Sequence, residues 1–177
     1  MRTIFRATAD FLKGVRQDLE RPHAFAAERV GFISVRAANA GEDLLLLAHG
    51  YHPVDDSDYV NDQSVGAMMG QEAIRKALNI ALLQPVGIIH VHMHGHRGVP
   101  GFSRIDLSEQ GYFVPDFFKV RDAMPHGSMV LSQDRAAGRI WLNPAAVSDI
   151  HEFNIVGWRY SRFSGLPEAL GLVRGKA

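Results

Sequence analysis

The sequence predicts a single-domain α/β fold, a mixed β-sheet with flanking helices, and three observations carry that expectation. Residues 3–20 and 64–83 repeat their apolar positions at helical spacing. Residues 30–35 and 44–48 are short apolar runs separated by a Gly-containing break, the pattern of neighbouring antiparallel strands. In the segment 86–94, residues 89–94 alternate apolar residue and histidine with a period of two, which is the strand period.

Taken in order, the first segment sets Ile4, Ala7, Phe11, Leu12, Val15 and Leu19 on one stripe, with Arg6, Asp10, Lys13, Arg16 and Asp18 between them. An amphipathic helix packed on a sheet is expected over 3–20, ended by Arg21-Pro22. A strand then starts near Glu28, runs through Val30-Gly-Phe-Ile-Ser-Val35 and breaks at Asn39-Ala-Gly41. Its hairpin partner is 44–48, whose leucine run reads as buried on both faces. His49, Tyr51, His52 and the acidic residues Asp55, Asp56, Asp58 and Asp62 read as a surface loop without the spacing of a calcium loop. A helix is expected over 64–83, capped by Ser64, packed through Ala73, Ala77 and Ala81, and stopped by Pro85. The strand 86–94 follows. A short helix from Ser103 includes Leu107 and is limited by Gly111 and Pro115, with another turn or two over 116–123. The runs 128–131 and 139–142 flank Asp134-Arg-Ala-Ala-Gly138 as a hairpin, and 150–158 reads as the last strand. The domain is expected to span 1–158, leaving 159–177 as a tail that either covers an edge strand or extends freely.

Composition narrows the function. At 177 residues the chain suits one domain, which would bury roughly 70% of its extended surface. A formal net charge of zero gives no global field toward nucleic acid or anionic membrane. With no cysteine, disulfides and thiolate metal sites are excluded, and His, Asp and Glu are the strong ligands available. The apolar runs are too short to span a bilayer, and Arg2, Arg6 and Asp10 interrupt the first apolar residues, unlike the core of a signal peptide. A soluble cytoplasmic protein is the expectation.

Four of the nine histidines, His90, His92, His94 and His96, fall within seven residues at alternating positions. On an extended backbone they share one face and leave Ile89, Val91 and Met93 on the other. A row of imidazoles makes a poor core and a good set of nitrogen ligands. A Gly/Pro-rich segment then turns the chain toward Ser103 and Asp106. Hydrolytic zinc sites use three protein ligands and keep one position for water, whose pKa falls to about 7. Two histidines one apart on a strand and a carboxylate opening the next helix would supply such a set. A carboxylate near the water would carry its proton, and a neutral donor such as Ser103 would stabilise the oxyanion. Ser103 and Asp106 also fit a capping box, which needs no metal.

This stretch resembles the JAMM family (also MPN+ or JAB) of zinc metalloproteases, the isopeptidases that cleave ubiquitin and ubiquitin-like modifiers. Their pattern is a distant Glu, then His-x-His, seven residues, Ser, two residues and Asp. Glu28-Arg-Val-Gly31-Phe-Ile resembles the family's Glu-x-x-Gly before an apolar strand, and the resemblance covers about residues 3–145 in element order. The details are similar to bacterial JAB proteins linked to ubiquitin-like conjugation systems. The spacing departs from the pattern: His92-Met-His94 leaves eight residues before Ser103, His90-Val-His92 ten, and His94-Gly-His96 six. A single inserted residue among Gly98, Pro100 and Gly101 favours His92 and His94, whereas Gly87-Ile-Ile-His90 favours the pair His90 and His92. His92 belongs to both.

The resemblance implies a JAMM/MPN-like sheet with cytidine-deaminase-like layering. It implies Zn2+ held by His92, His94 and Asp106, with His90 as the alternative ligand. Glu28 is then the general base and acid, and Ser103 supports the oxyanion. His90 or His96 would face the ligands or the substrate. The implied partners are a ubiquitin-like protein and its conjugates, and the activating and conjugating enzymes of the same system. Two other readings stay open: a metal-free interaction scaffold of the same fold, and a zinc hydrolase acting on a small molecule. Scattered basic residues argue against a nucleic-acid binder.

Overall fold

The computed structural model describes residues 1–22, 26–61 and 66–166. In chain order the elements are β1 (Thr3–Thr8), α1 (Ala9–Leu19), β2 (Val30–Ala40), β3 (Asp43–Pro53), a 3-10 turn (Asp56–Asp58) and α2 (Gln71–Leu83). Then come β4 (Gly87–Met93), α3 (Arg104–Phe117), β5 (His126–Leu131), β6 (Ala136–Asn143), β7 (Ala146–Asp149), β8 (Glu152–Val156) and β9 (Ser161–Ser164). The strands form one mixed sheet in the order β7-β6-β5-β4-β2-β3-β1-β8-β9. Pairing is parallel for β4/β5, β1/β3 and β1/β8, and antiparallel elsewhere. The α/β class is as the sequence predicts. Among the described residues no helix is long and apolar enough to cross a membrane.

The sheet separates two cores. On one face α1 buries Leu12, Val15 and Leu19 against Phe5, Ile33, Ile89, Val91 and Met93. On the other, Ala73, Ala77 and Ala81 of α2 pack with Phe32, Val86, Ile88 and Phe117. The small alanines let α2 lie close to the sheet, as their spacing predicts. β4 is therefore central and apolar on the α1 side, and its even-numbered residues look toward α2 and α3.

Several expectations are corrected. Residues 3–8 are a strand, not the first turns of a helix. Ile4 and Ala7 suit both periods, but Thr3–Thr8 pairs with β3 and β8 in the sheet interior, and these partners come from distant sequence. Thr8 stays extended and its Oγ1 accepts the Phe11 N–H at 3.1 Å, so α1 begins only after it. β3 reaches Pro53, which places His49, Tyr51 and His52 in a strand and not in a loop. The leucine run is not buried on both faces: Leu44 and Leu46 are buried, Leu45 is half-buried and Leu47 is exposed. Asp58 is buried and paired with Lys76 at 2.7 Å, and the expected loop residue Asp62 lies outside the described residues.

The second helix starts at Gln71 and not at 64. A bridge between Tyr59 and Met69, with Val60 N–H to Met68 C=O and Gly70 N–H to Asp58 C=O, commits residues 68–70 to extended backbone. The cap expected at Ser64 lies outside the described residues. α3 continues through Gly111 and Pro115 to Phe117. Pro115 removes one N–H near the helix end, while Val114 and Phe117 on either side are fully buried and hold the turn in place. The expected hairpin forms, but its turn lies at 132–135 and Ala136–Gly138, expected in the turn, pair with β5; the strand expected over 150–158 is only Glu152–Val156 and is not the last. Residues 161–164 of the expected tail pair with it and extend the sheet; 167–177 lie outside the described residues.

Candidate metal centre

Strand alternation delivers the first imidazoles. β4 pairs with β2 (Val30↔His92, Phe32↔His90) and with β5 (His90↔Ser128, His92↔Val130), so His90 and His92 sit mid-sheet on the α2/α3 face. The strand ends at Met93, yet the His94 N–H still donates to Leu131 C=O at 2.9 Å and keeps that residue in line. The loop beyond is tied to the β5–β6 turn. Gly98 N–H donates to Asp134 Oδ1 at 2.8 Å, Ser132 Oγ to Gly98 C=O at 2.7 Å, and Gln133 Nε2 to Gly95 C=O at 3.0 Å. His96 lies on that loop, exposed, its Nδ1 2.9 Å from the Arg97 carbonyl oxygen.

The other side is the start of α3. Ser103 and Asp106 form the capping box the sequence suggested: Ser103 Oγ accepts Asp106 N–H at 3.1 Å, and Asp106 Oδ2 accepts Ser103 N–H at 2.7 Å. The box does not remove Asp106 from the histidines. The same Oδ2 lies 3.7 Å from His92 Nε2. Burial pushes the His92 pKa down to about 4, with Asp106 opposing, so at neutral pH the two are not an ion pair and His92 presents neutral nitrogen.

Glu28 arrives from the segment leading into β2. Its N–H donates to Gly66 C=O at 2.7 Å, and its carboxylate lies over Gly66, where a Cβ would meet Oε2 at 3.1 Å. The Gly31 that follows it in sequence is needed for packing: the Tyr51 ring lies across it and its hydroxyl donates to Asp18 at 2.6 Å. Glu28, His92 and His94 each offer a ligand atom within 4.8 Å of the others. Burial raises the Glu28 carboxyl pKa; His94 pulls it down and Asp106 pushes it up.

The geometry thus brings together Glu28, His92 and His94, with Asp106 beside His92. His90 is not one of the three, although its ring lies 5.9 Å from that of His92. Its ring meets Phe113 (5.1 Å between centroids) and Phe32 (5.7 Å) edge-on, and burial pushes its pKa down to about 3.

A cavity of about 500 Å³ joins these groups, with Met68, Met69, Ile105 and Phe113 among its apolar walls and Gln110 deep in it. Both nitrogens of His92, which is 3% exposed, lack a hydrogen-bond partner, as does His90 Nε2. Buried polar atoms are nearly always paired. Neutral, unpaired imidazole beside two carboxylates is a donor set that fits a divalent cation, and the group could hold a metal ion. Sequence reasoning missed Gln110 and the two methionines. Gln110 follows Asp106 by one helical turn, a signal that would have put it on the same face. No family model matches the chain, and no curated protein matches it.

Proposed function

We propose that the chain is a zinc-dependent peptidase of the JAMM type, cleaving an amide bond at the C-terminus of a ubiquitin-like modifier, on a JAMM/MPN-like sheet. One observation carries the reading: a carboxylate from ahead of β2 and two imidazoles from the end of β4 offer ligand atoms within 4.8 Å of one another. A surface cluster of acids would not produce it, because His92 is buried and its nitrogens are unpaired.

In this reading His92, His94 and Asp106 hold the ion. When bound, zinc lowers the pKa of water beside it to about 7 and polarises the amide carbonyl. Glu28 does the proton work. Its carboxylate takes a proton from the attacking water as the new C–O bond forms, and returns it to the amide nitrogen as the C–N bond breaks. Burial raises the carboxyl pKa and so makes the carboxylate a stronger base for the first step. Ser103 Oγ already accepts Asp106 N–H, which leaves its hydroxyl hydrogen to donate to the oxygen that gains charge. Asp106 is held in place by the capping box, with its Oδ2 already facing His92 Nε2.

Metal analysis of the purified protein, with a cleavage assay on a ubiquitin-like protein fusion before and after chelation, tests the reading. The expected result is about one zinc per chain and cleavage that chelator abolishes and zinc restores. Full cleavage in metal-free protein would overturn it. The binding of zinc without cleavage of any such fusion would favour the small-molecule hydrolase.

A further inference from the structure

Six buried side-chain atoms among the described residues have no hydrogen-bond partner, and all but Arg6 Nε belong to three residues lining one cavity: His90, His92 and Gln110. On the peptidase reading one His92 nitrogen is accounted for by a metal. Gln110 is not. It is 1% exposed, and both its Nε2 and its Oε1 are unpaired. A buried carboxamide with neither donor nor acceptor met is costly, and an apolar residue of the same size would be better tolerated in a site with no ligand.

Its place decides what it faces. Asp106, Gln110 and Phe113 follow one another on one face of α3, and all three line the cavity. Gln110 thus lies one turn deeper than the carboxylate beside His92, between that carboxylate and the Phe113 ring that packs on His90. A carboxamide presents a donor and an acceptor side by side. An extended peptide presents the N–H and C=O of one residue on the same side, which is how paired strands exchange two hydrogen bonds. The two edges are complementary.

Resting on the peptidase reading above, we infer that Gln110 is a positioning residue that grips the main chain of an extended peptide substrate beside the metal group, reading backbone and not side chain. The cavity's walls agree with this. Met68, Met69 and Phe113 give apolar contact, and among the polar residues that also line it, Glu109 and Ser128 included, Gln110 is the one that offers a buried donor and a buried acceptor side by side, both unpaired. The contact holds substrate equally before and during reaction, so its loss raises KM more than it lowers kcat.

The test uses Gln110→Met, close to the same length and unable to form either bond, and Gln110→Glu, which keeps an acceptor and loses the donor. For Gln110→Met the expected results are unchanged zinc content, a melting temperature raised by a few degrees, and a KM for the fusion raised roughly tenfold or more with kcat changed much less. Gln110→Glu should fall between the two in KM. A blocked pentaglycine amide at millimolar concentration should raise the melting temperature of the wild-type protein and not that of Gln110→Met. This last measurement needs no catalysis, so it separates failure here from failure of the peptidase reading. If Gln110→Met melts several degrees lower with KM unchanged, Gln110 is a structural residue and the inference is overturned. Absence of any peptide effect on the wild type would overturn it equally.

Discussion

His92 Nε2 stands 3.7 Å from Asp106 Oδ2, across the gap between the central strand and the first turn of α3. The strand and the helix are joined there through polar groups, and the carboxylate oxygen is already engaged by Ser103 N–H. The capping role of Asp106 and its proposed metal role can be separated because they need different things. Capping needs an acceptor, and the metal needs charge.

Asp106→Asn keeps an oxygen for Ser103 N–H and removes the charge. Metal affinity should fall by roughly 100-fold or more, with the melting temperature of metal-free protein nearly unchanged. Asp106→Ala should lose the metal and also about 1 kcal/mol of stability through the lost cap. Zinc content after dialysis and thermal unfolding of both variants check this. Full zinc occupancy in both would place the third ligand elsewhere.

Glu28→Gln tests whether the carboxylate handles protons or binds the ion. As general base its loss should leave zinc content intact and lower kcat by at least a hundredfold. In the wild type, cleavage should decline toward acid, because Glu28 acts ionised and burial raises its carboxyl above the ordinary range. If zinc is lost in Glu28→Gln, the triad with His92 and His94 is itself the ligand set, and the base lies elsewhere.

The two histidine registers separate cleanly. His90 packs edge-on against Phe32 and Phe113, so a phenyl ring would fit its place. His90→Phe should retain zinc, whereas His94→Ala should lose it, at least tenfold in affinity. Loss of zinc from His90→Phe would restore the His90/His92 pair.

The histidine face was legible because alternation is local: the side a β4 residue takes follows from its position alone, and apolar Ile89 and Val91 fix which side is core. The Ser103–Asp106 turn was legible for the same reason, since a cap is made within four residues. β1 was not. Its partners are β3 and β8, and the Ile4↔Glu152 pairing spans most of the chain, so nothing nearby distinguishes Thr3–Thr8 from a helical start. The start of α2 was hidden by the Tyr59↔Met69 bridge, another long-range decision. Short edge strands such as β7 and β9 carry little periodicity in four residues each. Gln110 looked like an ordinary helix residue until its burial was known.

His126 gives a stability prediction independent of the metal. It is fully buried against Phe117 and Phe118; its Nδ1 accepts Ile88 N–H at 3.1 Å, and its Nε2 donates to Arg121 C=O at 2.8 Å. That pattern requires the neutral ring, and burial pushes its pKa down to about 4, with the Arg121 carbonyl opposing. Above the unfolded value of 6.5 the ring is neutral in both states and contributes no pH dependence. As pH falls below that value the unfolded chain takes up a proton that the folded chain refuses, so stability is lost progressively until the folded ring also titrates near pH 4. The shift corresponds to a loss on the order of 3 kcal/mol. His126→Gln should be less stable near neutrality by about 1–3 kcal/mol, because its shorter reach strains the Ile88 contact. Its stability should then decline less steeply than that of the wild type toward acid. Urea unfolding of both metal-free proteins across this range gives the difference, in which the titration of His90 and His92, common to both, cancels. Parallel pH curves would mean that His126 is not the group that resists protonation.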